Sequence, residues 1–180
     1  MTDTHNTPIG LLADIERRAE AAALRMPVGQ EMGNVWRGLG FRVGGTSLVT
    51  SMEDIQEILE YPTLYRVPGA KPWLKGVANL HGRLLPVTDL RLLLSGEATT
   101  ITRETRVIVV RDGELFAGLV VDEVLALQQF PNEQRSADAP PAEPWLAEVI
   151  DGGFKAGEDH WALFRTDALV QRADFLNAAA

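Results

Sequence analysis

Twice along this chain a glycine-bearing turn dipeptide separates two short runs, and the same succession of segments then follows. Gly44-Gly45 lies between residues 39–43 and 46–51, and Asp112-Gly113 lies between residues 107–110 and 115–121. A two-residue hairpin turn needs positive φ, which glycine supplies without steric strain, so both dipeptides read as hairpin tips. Ile55-Gln56-Glu57-Ile58 after the first hairpin resembles Val121-Asp122-Glu123-Val124 after the second. Leu84-Leu85-Pro86-Val87-Thr88-Asp89 likewise resembles Ala162-Leu163-Phe164-Arg165-Thr166-Asp167. Each half therefore reads hairpin, acidic–apolar segment, strand, strand, Thr-Asp cap, helix. Short strands at this spacing bury their edges best by closing on themselves, so the repeat predicts a mainly β protein of two similar small barrels. The polar stretch 95–103 marks the boundary, with subdomain 1 at 35–95, subdomain 2 at 104–165 and a C-terminal helix at 166–177.

Residues 1–34 read as an N-terminal helical extension. Thr7-Pro8 is a good helix opening, because Pro at the first helical position gives up an N–H that has no intrahelical partner. Leu11, Ile15, Ala19, Ala22 and Met26 then recur on one helical face up to Pro27. Such a helix packs on its own domain or docks on a partner. Ile55, Ile58 and Leu59 fit either a strand or one helical turn. Pro62, Pro68 and Pro72 mark a loop, Thr88-Asp89 reads as the cap of a short helix over 90–94, and Asp151-Gly152-Gly153 reads as a turn. Residues 161–164 are a further strand, and Thr166-Asp167 caps the last helix.

Composition narrows the function classes. The net charge of −8 argues against binding to nucleic acid or to an anionic membrane surface, since both draw on clustered Lys and Arg. Without cysteine there is no disulfide, thiolate nucleophile or Cys-ligated zinc. His5, His81 and His160 are far apart and form no metal-spaced pair, so no metal site and no cofactor are expected. No G-x-S-x-G elbow and no phosphate loop occurs, and Gly38-Leu39-Gly40 has no continuation that would make it a dinucleotide turn. Asp122 and Glu123, adjacent on a strand, face opposite sides and do not share a substrate. The start of the chain has no secretory pattern and no run is long and apolar enough to span a bilayer, so a cytoplasmic location is expected. The chain thus reads as a non-catalytic binding module.

Residues 68–91 read Pro-Gly-Ala-Lys-Pro-Trp-Leu-Lys-Gly-Val-Ala-Asn-Leu-His-Gly-Arg-Leu-Leu-Pro-Val-Thr-Asp-Leu-Arg. This resembles the signature of CheW-type adaptors, in which a proline-bearing loop leads to Gly-Val-x-Asn-[Leu/Ile]-Arg-Gly and then Pro-Val-x-Asp-Leu. Gly118-Leu119-Val120-Val121-Asp122-Glu123-Val124 resembles the family's second marker, Gly-x-x-Val-Asp-x-Val. The order holds from about Val35 to Leu176, and the wording is most similar to adaptors of type IV pilus (twitching-motility) chemosensory systems. The resemblance implies two intertwined five-stranded SH3-like barrels. It implies a scaffold without enzymatic activity or cofactor, bridging the cytoplasmic tip of a methyl-accepting receptor to the regulatory domain of a CheA-type histidine kinase. Recruitment to receptor clusters at the inner membrane follows, without direct membrane insertion. Receptor contact is expected between the barrels, at Glu57, Val77, Asn79, His81 and Arg83.

The family's Arg before Gly is His81 here. An Arg carries a permanent charge and a planar fork of donors, whereas a neutral imidazole offers one donor. Arg83 lies two residues on, on the same face if the strand is regular, and is expected to take over the charge role. Trp73, just before the signature strand, is the first aromatic candidate for a partner contact. Three other readings compete: a ligand-sensing β-barrel, a nucleic-acid-binding barrel, and an enzyme of unfamiliar type.

Overall fold

The computed structural model describes residues 35–113, 115–138 and 143–178. The helix expected over residues 8–27 lies outside them. Eleven strands form two sheets among the described residues. The first holds β1 (Val35–Val43), β2 (Thr46–Ser51), β8 (Glu123–Pro131), the two-residue β9 (Arg135–Ser136), β10 (Ile150–Ala156) and β11 (Asp159–Phe164). Its order is β8-β1-β2-β11-β10-β9. The second holds β3 (Ile55–Glu60), β4 (Leu74–Leu80), β5 (Arg83–Asp89), β6 (Arg106–Asp112) and β7 (Leu115–Val121), in the order β3-β6-β7-β5-β4. The described residues also hold three short α-helices: α1 (Leu90–Ser95), α2 (Thr166–Val170) and α3 (Ala173–Leu176).

The fold is mainly β with two sheets, as the repeat predicts, but the halves exchange strands. β1 and β2 join the C-terminal strands, and β6 and β7 join the N-terminal ones. Segments 35–95 and 104–165 therefore do not each build a sheet of their own. The exchange runs through four pairings: β1 with β8 and β3 with β6, both antiparallel, and β2 with β11 and β5 with β7, both parallel. It also explains the unbroken apolar run 107–110. Val107 and Val109 face the interior of the second sheet with Leu85, Val87 and Val120, while Ile108 and Val110 face the cluster between the sheets. A strand buried on both faces has no polar alternation to show.

The cluster between the sheets joins Leu39, Phe41 and Leu48 to Ile108, Val110, Leu119 and Val121, and the C-terminal Leu169 and Phe175 cover it. A fully buried side chain of this kind contributes about 1.5–3 kcal/mol. Inside the first sheet Phe130 and Phe154 stack at 4.5 Å, with Trp36 4.8 Å from Phe154.

Several local expectations change. Residues 55–60 are a strand, entered by a 3-10 turn at Met52–Asp54. Asp151-Gly152-Gly153 is not a turn but a bulge inside β10; a Cβ on Gly152 would stand 2.1 Å from the carbonyl oxygen of Ser136, so β9 and β10 approach this closely only over glycine. The C-terminal helix is two pieces, and Thr166 is not its cap: it is buried inside α2, its hydroxyl 3.4 Å from that of Thr50.

Candidate partner-binding surface

The two residues of the β4–β5 hairpin turn are His81, at φ 51°, and Gly82, at φ 82°. His81 is the only described non-glycine residue with positive φ. The turn is held by Asn79, whose Oδ1 accepts from the Gly82 N–H at 2.8 Å. The hairpin tip carries His81 across to β3, where its Nε2 lies 3.0 Å from Glu57 Oε2. A carboxylate only accepts, so Nε2 donates. β3 and β4 are opposite edges of the second sheet, so this contact shows that the sheet curls round and brings its edges together. The imidazole remains 76% exposed and the Glu57 side chain 39%, and a polar contact this open is worth at most about 1 kcal/mol. It positions the two groups more than it stabilises the fold.

Arg83 does not sit beside His81 on a regular strand, because the turn intervenes. It opens β5, and its guanidinium carbon lies 4.3 Å from the centroid of Phe116 on β7, a cation–π contact. The partner of Glu57 is His81 itself, through the one hydrogen bond that a neutral imidazole can donate. Val77 is half-buried and Asn79 exposed on the outer face of β4, opposite Pro86 and Leu84 respectively. Trp73 is placed otherwise than a contact residue requires. It is 8% exposed and stacks on Phe175 at 6.3 Å and 12°, so it anchors the C-terminal segment.

Sequence reasoning missed Leu84. It is 72% exposed, in register with Asn79, and extends the polar tip with an apolar contact. The signal was there: in Leu84-Leu85-Pro86-Val87 the strand period puts Leu85 and Val87 inside and Leu84 outside. Phe116 beneath Arg83 had no such signal, because β7 reaches β5 only through a parallel crossover.

The signature residues around this surface are mostly structural. Asp89 is fully buried and accepts from the N–H of Leu92 at 3.1 Å, the N–H of Thr99 at 3.1 Å and the hydroxyl of Thr99 at 2.8 Å. A Cβ on Gly118 would stand 2.6 Å from Val107 Cγ1, so the strand packs only without one. Asp122 accepts from the N–H of Gly45 at 3.4 Å and donates its own N–H to the Arg42 carbonyl at 2.9 Å, while Glu123 pairs with Arg42 at 2.8 Å.

A separate cleft of about 520 Å³ is lined by Trp36, Ser51, Asp54, Arg135, Asp151, Arg165 and Asp167. Arg135 pairs with Asp151 at 3.3 Å and Arg165 pairs with Asp167, whose carboxyl is held below the usual carboxylate range by that bond. Asp54 has no cation among the described residues. Burial pushes its carboxyl up, Thr166 opposes that by hydrogen bonding, and Asp167, Asp112 and Glu53 add repulsion. A carboxyl raised in the folded state favours folding when protonated and opposes it when ionised. Asp54→Asn is therefore expected to raise the melting temperature at pH 7, with the gain disappearing as pH falls below the ordinary carboxylate range. A variant no more stable than the parent at pH 7 would contradict this.

Two strand-exchanged sheets with an exposed hairpin tip and filled interiors define a binding module of a known kind: the chain belongs to the family described as the CheW-like domain, whose model matches residues 37–174. Among individual proteins it is 42% identical to Protein PilI of Pseudomonas aeruginosa, over 96% of this chain and 97% of that protein. It is 32% identical to Chemotaxis protein CheW of Klebsiella aerogenes, over 73% of this chain and 75% of that protein. The crystal structure of scaffolding protein TtCheW from Thermoanaerobacter tengcongensis shares the fold, with a TM-score of 0.65 at 19% identity, covering 72% of this chain and 88% of that one. No helix among the described residues is long and apolar enough to cross a membrane.

Proposed function

We propose that this chain is a non-enzymatic adaptor that couples a methyl-accepting chemoreceptor to a CheA-type histidine kinase, in a chemosensory pathway controlling type IV pilus twitching motility. The similarity to PilI over nearly the whole of both chains carries the reading. The exposed hairpin tip supports it locally. Glu57, Val77, Asn79, His81 and Arg83 lie on one curled sheet, and Leu84 adds an open apolar contact beside them. An adaptor needs such mixed surfaces left open in the monomer, apolar at the centre and polar at the rim. Trp73 is not among the contacts, since reaching it would mean lifting Phe175. Against the ligand-sensing reading, side chains fill both the interior of the second sheet and the space between the sheets.

The decisive experiment is a three-component pull-down with a receptor cytoplasmic hairpin and the regulatory domain of the kinase. Capture of the kinase by the receptor should require this chain, and failure to bridge them would overturn the proposal. Within that assay Arg83→Glu is expected to weaken receptor binding about tenfold, and His81→Ala about twofold to threefold. Arg83 presents a permanent charge at the tip, whereas the His81 hydrogen bond is spent on Glu57 and exposed pairs are weak. Equal losses would reject the role assigned to Arg83.

A further inference from the structure

From Tyr61 to Thr88 the sequence has no Asp or Glu, although the chain carries 25 of them. The same stretch holds Arg66, Lys71, Lys75, His81 and Arg83, and two of the three lysines in the protein. Arg66, Lys71 and Lys75 line one pocket of about 640 Å³, whose walls are Val67, Ala70, Pro72 and Leu74. Among the described residues none of the three forms an ion pair. Tyr65, 68% exposed, and Val67 stand exposed beside them. In a protein of net charge −8, three neighbouring cations without counterions among the described residues are a local reversal of the field.

We propose that this pocket docks an acidic, extended segment of a partner protein, with carboxylates on Arg66, Lys71 and Lys75 and alternate apolar side chains against Val67 and Leu74. The walls favour a peptide over a phosphate. Phosphate sites are built from converging backbone amides. Here the N–H groups of Ala70, Lys71 and Leu74 already donate to Val67, Ala178 and Lys71, and Pro68 and Pro72 have none. A mixed cationic and apolar wall suits a chain that alternates charge with hydrocarbon. The site is distinct from the Glu57–His81 tip, and its test does not depend on the receptor or the kinase.

The test uses the full chain and a fluorescein-labelled Glu-Val repeat peptide, followed by fluorescence anisotropy at low ionic strength. The peptide should bind, and its affinity should fall with added salt. The double variant K71E/K75E should weaken it about tenfold, since several coupled charges add up to roughly one decade in affinity. R37E/R103E, which makes the same change in net charge at exposed positions elsewhere, should change it by less than about twofold. Circular dichroism confirms that both variants fold. Failure of the peptide to bind would overturn the proposal, as would equal losses in the two double variants, which mark a net-charge effect. Displacement of the peptide by inorganic pyrophosphate at comparable concentration would also overturn it, in favour of a phosphate site.

Discussion

Asp89→Ala is expected to destabilise the protein by about 3–5 kcal/mol, because it removes one buried acceptor from several donors at once. The Leu92 N–H, the Thr99 N–H and the Thr99 hydroxyl all end on this carboxylate, which has no exposure to solvent. Each buried donor left unsatisfied costs about 1–3 kcal/mol. Against a total of about 5–15 kcal/mol for a domain, that loss is severe. Asp89 also joins parts of the chain that are separate in sequence. It caps α1, fixes the linker at Thr99, and through its own N–H bonds the Trp73 carbonyl at 2.8 Å. Asp89→Asn keeps the shape and one acceptor but turns an amide toward donors, so it should recover only part of the loss. Urea unfolding measures both variants. A loss below about 1 kcal/mol for the alanine variant would mean that Asp89 is not the hub described.

Gly76→Ala is expected to cost about 2–4 kcal/mol through crowding and backbone strain together. Gly76 sits at φ 148°, and a Cβ there would stand 2.5 Å from the carbonyl oxygen of Tyr65. That carbonyl accepts from the Val77 N–H at 2.9 Å, and the Tyr65 N–H donates to the Val77 carbonyl at 2.9 Å. Moving the carbonyl away from a new methyl group breaks this bridge. The loop that covers the edge of β4 is thereby released. Gly82→Ala in the same hairpin is the control. Its φ is 82° but nothing lies near a Cβ, so it should lose only about 1 kcal/mol from strain. The comparison is read in melting temperature and in limited proteolysis of residues 61–73. Equal losses for the two variants, or a loop no more readily cut in Gly76→Ala, would remove the role assigned to the close approach.

Both residues belong to the signature that made the family resemblance legible, and neither is exposed enough to bind a partner. A motif of this kind marks the fold first. Of the contact residues it named, Asn79 builds the turn and Trp73 holds the C-terminus. Glu57, His81 and Arg83 stay open at the surface. Leu84 was readable from strand alternation alone, and the cationic pocket from a carboxylate-free run. The pairing of Glu57 with His81 was not readable from periodicity, because it depends on how strongly the second sheet curls.

Local sequence determined the hairpin at Gly44-Gly45, the cap ahead of α1 and the alternating faces of β5, and it placed the second hairpin within one residue, since Asp112 ends β6 and pairs with Leu115. These follow from the sign of φ, from side-chain reach over a few residues and from strand period, all of which are short-range. Only the tertiary structure decided that β1 and β2 join the C-terminal strands, that Trp73 is covered, and that Gly152 makes a bulge. Those outcomes rest on the four strand pairings between the halves, on Phe175 stacking over Trp73 and on β9 pressing against β10. They are contacts between segments far apart in the chain, chosen by which packing buries the most apolar surface, and no local pattern carries that choice.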